Sequence, residues 1–133
     1  MKYSHIRLIF DIDGTLCPIK QPNEAYENLI PDQSMIEKLR FYKEEGATIV
    51  LTSSRNMRTY NNNLGLINAN TAIILHKWLQ KWQIPYDEIY FGKPWPGPHG
   101  LYVDDRAVRP DEFLSHSFEE LERLCQKSTR KPQ

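Results

Sequence analysis

The stretch Phe10-Asp11-Ile12-Asp13-Gly14-Thr15-Leu16 constrains this chain more than any other part of it. It follows the apolar run Ile6, Leu8, Ile9, Phe10, which predicts a buried strand over 6–10. Buried strands do not end in paired carboxylates without cause, because unpaired buried charge is costly. The pair needs a cation, a part in chemistry, or exposure at the strand's end. Two acids two residues apart, with a Gly-Thr turn directly after them, point to metal-assisted phosphate chemistry.

The rest of the chain supplies the frame. Pro18, Pro22 and Pro31 keep 14–31 irregular. Asp32 is placed as an N-cap for a helix carrying Ile36, Leu39, Phe41 and Tyr42, and Gly46 is placed to end it in a left-handed conformation. Ala47-Thr48-Ile49-Val50-Leu51 predicts a second strand without polar alternation, the pattern of a parallel sheet covered on both faces. A helix is expected over about 70–83 with Ile74, Trp78 and Trp82 on one side. Glu88–Phe91 predicts a third strand, the Gly/Pro-rich 92–100 a loop, and Leu101-Tyr102-Val103 a fourth strand closed by Asp104-Asp105. Ser117-Phe118-Glu119-Glu120 reads as a capping box opening a last helix, with a frayed tail after about Lys127. Strands alternating with helices give an α/β fold with a mainly parallel sheet.

Length and composition narrow the class. A chain of 133 residues is expected to form one domain, 1–133. Lys plus Arg equals Asp plus Glu at 17 each, so net charge offers no footprint for nucleic acid or an anionic membrane. Cys17 and Cys125 lack metal-type spacing and suggest a reducing compartment. The N-terminal apolar run, broken by Arg7 and ended by Asp11, is too short for a leader. No apolar stretch approaches the roughly 20 residues of a membrane span. A cytoplasmic protein without membrane or nucleic-acid partners is therefore expected.

Four polar clusters follow the four predicted strands: Asp11/Asp13, Thr52/Ser53, Lys93 and Asp104/Asp105. Ligands in open α/β sheets bind beyond the carboxyl ends of strands. If the strands are parallel neighbours, the clusters meet at one rim. Each cluster has a plainer alternative. Asx turns follow strands, hydroxyls cap strand ends, single lysines are usually solvated, and either of Asp104 and Asp105 could cap a helix. Arg55 could reach an outlying part of a substrate or pair with a surface acid. Asn61–Asn63 could line a pocket or mark turns. Trp95 could stack on a ring or pack its loop.

Taken in order, these motifs resemble those of the haloacid dehalogenase-like (HAD) phosphohydrolases: FDIDGTL the first, Leu51-Thr52-Ser53 the second, Lys93 the third and Val103-Asp104-Asp105 the fourth. The resemblance implies a Rossmann-like three-layer sandwich. It implies Asp11 as nucleophile toward phosphorus and Asp13 as general acid and base. Mg²⁺ would be held by Asp11, the Asp13 carbonyl and Asp104. Thr52, Ser53 and Lys93 would hold the phosphoryl oxygens, with Asp105 in support. In this reading Asp13 is the better candidate for the protonated member of the pair. Only about 40 residues separate Asp11 from Thr52, and about 40 separate Thr52 from Lys93, so the chain resembles members without a cap domain. An open site leaves substrate choice to loops or to a neighbouring copy, and a homo-oligomer through the Trp78/Trp82 helix is one expectation.

FDIDGTLC, TSSRNM, IPYDEIYFGKPW and YVDDRAVRPDEF also resemble a small branch of capsular-polysaccharide-biosynthesis phosphatases. That likeness implies a small phosphorylated sugar or related metabolite as substrate. The alternatives are a nucleotide or polynucleotide-end phosphatase, a phosphotransferase, and a phosphate-binding regulatory module without turnover.

Overall fold

The computed structural model describes residues 1–132. They form two compact units, Met1–Trp95 and the segment from Pro96 onward.

The first unit is built on three parallel strands, β1 (Arg7–Asp11), β2 (Thr48–Ser53) and β3 (Glu88–Phe91), in the order β1-β2-β3. The connection from β1 to β2 carries a short 3-10 turn and helix α1 (Gln33–Glu44). The connection from β2 to β3 carries a one-turn α2 (Leu64–Leu66), a π turn (Ile67–Thr71) and α3 (Ala72–Lys81). Two successive βαβ crossovers make this a Rossmann-like fold, and neither connection holds an inserted cap domain.

Local chemistry explains the boundaries. The Asp32 side chain accepts the Met35 N–H at 3.1 Å and starts α1. Gly46, at φ +98°, ends it where the sequence places the stop. Along the sheet, paired residues of parallel strands share a face. Leu8, Ile49 and Leu51 stand on one face with Phe10, and Ile49 and Leu51 are fully buried there. The other face carries Ile9, Asp11, Thr52 and Tyr90. Ile9 is 63% exposed on it.

The buried side of α3 is Leu75, Trp78 and Leu79, not the expected Ile74, Trp78 and Trp82 stripe. Trp78 lies in the core and donates its indole N–H to the Leu29 carbonyl at 2.7 Å, so it cannot serve as an oligomer surface. Trp78→Phe is expected to leave that carbonyl unpaired and to cost about 2 kcal/mol, read from the midpoint of urea unfolding.

The second unit holds α4 (Pro110–Ser115) and α5 (Phe118–Ser128). The capping box is present as read: Ser117 Oγ accepts the Glu120 N–H, and Glu120 accepts the Ser117 N–H. Phe113, Leu121 and Cys125 are its buried residues. The fourth strand expected over 101–103 is not formed among the described residues. Leu101 is 85% and Val103 98% exposed. An apolar triplet sets strand propensity, but a strand exists only where a ladder partner meets it. No helix among the described residues is long and apolar enough to cross a membrane.

Candidate active site

The first acidic motif is a tight loop wound around one carbonyl. Ile12 is fully buried, and its C=O accepts from the N–H groups of Thr15, Leu16 and Cys17. Gly14 turns the chain at φ +85°, a conformation costly to any residue with a Cβ. The turn sends Asp11 and Asp13 to fixed positions and brings Cys17 back against Asp13, with Sγ 3.6 Å from Oδ1.

Asp11 closes β1 and stands in register with Thr52, the penultimate residue of β2. The two side chains therefore share one face at the carboxyl end of the sheet. Lys93 follows β3, and its N–H extends the ladder by donating to the Ser53 carbonyl at 3.0 Å. Its Nζ lies 3.5 Å from Asp11 Oδ1. Three of the four motif clusters are thus brought together by three neighbouring strands. Burial pushes the Asp11 carboxyl above its ordinary range, and the Asp13 charge adds to this. The Lys93 ammonium and the Ile12 N–H pull the other way.

Ser53 takes the opposite face. It is buried, and its Oγ accepts the Arg55 N–H at 3.0 Å, so the hydroxyl caps the strand end. A contact from Ser53 to phosphate is left to its backbone. The strand period of two makes this split unavoidable for adjacent hydroxyls.

Arg55 is the residue whose surroundings sequence reasoning missed. It pairs with Asp13 of the first acidic cluster and not with a surface acid. Its guanidinium is buried and grips Asp13 as a two-pronged fork, Nε to Oδ2 at 2.9 Å and Nη2 to Oδ1 at 3.0 Å. The Tyr26 ring covers it, with Cζ 4.2 Å from the ring centroid, and Trp78 stands 5.7 Å away. Nη1 is buried without a hydrogen-bond partner, which suits a guanidinium held by aromatic faces. An Arg directly after a hydroxyl-rich strand end was visible in the sequence. Its partners, 42 residues upstream at Asp13 and in the irregular segment at Tyr26, were not. The two-pronged contact fixes where the Asp13 carboxyl stands.

The neighbouring candidates take plainer places. Burial and the Asp13 charge push the Cys17 thiol up to about 12, so it stays a neutral thiol against the carboxylate. Asn61 and Asn62 adopt left-handed turn conformations, and Asn63 caps Leu66. Trp95 lies 5.9 Å from the Arg58 guanidinium. In the second unit, Asp104 Oδ1 accepts the Arg106 N–H at 2.9 Å and Asp105 Oδ2 accepts from the Thr129 hydroxyl at 3.0 Å. Among the described residues, no three acidic, histidine or cysteine side chains gather into a metal set. Asp11 fits a cation in one respect: burial opposes its charge, and a divalent ion would offset that.

Comparison with known proteins agrees with the architecture. Residues 8–85 match the model of the haloacid dehalogenase-like hydrolases. A crystal structure of a Vibrio cholerae protein is 48% identical, covers 93% of this chain and 99% of its own, and superposes with a TM-score of 0.87. No curated protein matches the chain. The chain belongs to the haloacid dehalogenase-like hydrolases.

Proposed function

We infer that this hydrolase is a phosphomonoester phosphatase with Asp11 as its nucleophile. The observation that carries the reading is the grouping of Asp11, Thr52 and the Lys93 ammonium at the carboxyl ends of adjacent strands. A carboxylate beside a hydroxyl and a fixed cation can receive an anionic phosphoryl group, where catalysis rests on positioning and charge neutralisation.

In the first half-reaction an Asp11 carboxylate oxygen forms a bond to phosphorus. The ester oxygen leaves with its bonding pair and takes a proton from Asp13. In the second, water attacks phosphorus, gives a proton to Asp13, and returns Asp11 as a free carboxylate with release of phosphate. Arg55 keeps Asp13 in place. Thr52, the Ser53 backbone and Lys93 hold the phosphoryl oxygens. Bound Mg²⁺ would supply positive charge against the phosphate, with Asp11, the Asp13 carbonyl and Asp104 as the residues to hold it. Asp105 would support that set.

The likeness to capsular-polysaccharide phosphatases supports a phosphorylated sugar or related metabolite as substrate. Phosphate release from sugar, polyol and nucleotide phosphates, measured with Mg²⁺ present, tests this. Turnover of sugar phosphates is expected, turnover of nucleotides alone would redirect the substrate class, and turnover of none would leave a binding module. Lys93→Ala is expected to lower kcat/KM about a hundredfold on the best substrate.

A further inference from the structure

The Arg55 side chain spends its hydrogen bonds on two neighbours. Nε and Nη2 fork the Asp13 carboxyl, and Nη2 also stands 3.9 Å from Cys17 Sγ. A guanidinium carries N–H donors on all three nitrogens. Those on Nη1 meet no acceptor among the described residues, although the side chain is only 1% exposed. A buried donor left unpaired is costly, and water is the acceptor that would relieve it. A long side chain drawn toward water would carry its head away from Asp13.

The backbone end of Arg55 is already fixed. Its N–H donates to Ser53 Oγ, and the next residue, Asn56, is left-handed at φ +61° with its Oδ1 accepting the Thr71 hydroxyl at 2.6 Å. The head is held by rings. Tyr26 lies closest, with the guanidinium carbon 4.2 Å from its centroid, and Trp78 follows at 5.7 Å. An aromatic face attracts the cation and sets no carbonyl or carboxylate oxygen in competition with Asp13. Trp78 is the inner ring, buried in the core, and Tyr26 is the outer one, half-buried on its 3-10 turn. That turn is tied down in turn, because the Leu29 carbonyl that follows it accepts the Trp78 indole N–H.

We propose that Tyr26 is a positioning residue for Asp13, acting through Arg55, and that it sets how well this enzyme handles poor leaving groups. The role given to Asp13 rests on the phosphatase reading. The link from Tyr26 to Asp13 rests on the geometry of the stack and the fork. An alkoxide oxygen leaving phosphorus needs a proton delivered to it, whereas a nitrophenolate leaves without one. Loosening Asp13 therefore penalises alkyl phosphates and spares activated aryl phosphates.

The test compares kcat/KM, which reads the first half-reaction, for glycerol phosphate and para-nitrophenyl phosphate. Tyr26→Phe keeps the stacked ring and should keep the wild-type ratio of the two. Tyr26→Leu should lower the alkyl-to-aryl ratio at least about tenfold, part of what a positioned acid contributes. Should that variant fail to fold, pentafluorophenylalanine at position 26 keeps the ring's shape, removes the negative face, and should give the same fall. In an Asp13→Asn background Tyr26→Leu should move the ratio no further. Equal losses on both substrates, no loss on either, or a further fall of the same size without Asp13 would overturn the proposal. A wild type that releases no phosphate from any phosphomonoester would remove the phosphatase reading instead. The link is then decided by urea unfolding of Tyr26→Leu, Asp13→Asn and the double variant: coupled effects uphold it, and additive effects overturn it.

Discussion

Asp11→Asn is expected to lower turnover by at least about a thousandfold while leaving the unfolding midpoint near that of wild type. The amide keeps the shape of the side chain but cannot form a bond to phosphorus with a full negative charge behind it. It also cannot ion-pair with Lys93, 3.5 Å away. Stability should not suffer, because burial disfavours the charge that the substitution removes. Phosphate release and urea unfolding on the same preparation check both halves. Loss of activity with loss of fold would leave the nucleophile unassigned, and retained activity would assign it elsewhere.

Arg55→Met is expected to destabilise the protein by about 3 kcal/mol, the scale on which breaking one side of a buried ion pair acts. For a chain of this size that is a fall in Tm of roughly 10 °C. The substitution keeps an apolar side chain against Tyr26 but leaves Asp13 facing its old partner's space without a countercharge. Arg55→Met combined with Asp13→Asn should recover part of the loss, because the stranded carboxylate is gone. A single variant as stable as wild type would mean the fork contributes nothing net. Activity should fall too, since Asp13 loses the group that fixes its position.

The sequence marked β1, β2, β3, α1 and α5 because their signals are local: unbroken apolar runs, the Asp32 cap, the Gly46 stop and the Ser117 box. Asp11, Thr52 and Lys93 were legible for the same reason, as residues at predicted strand ends. Ser53 was half legible. Its place in the order was right, but the period of a strand turns its hydroxyl to the buried side. Arg55 was readable as a candidate and unreadable in its contacts, because Asp13, Tyr26 and Trp78 come from three distant parts of the chain. Leu101–Val103 shows the limit most clearly. Its residues are strand formers, and a run of residues cannot state whether a ladder partner meets it.

Acid quenching during steady turnover, followed by mass analysis of the peptides, addresses the chemistry most directly. Asp13→Asn slows the water step and should raise the trapped fraction. One phosphoryl group on the peptide spanning β1, placed on Asp11 by fragmentation, is the expected result. Turnover with the phosphoryl group on another residue would contradict the assignment of Asp11.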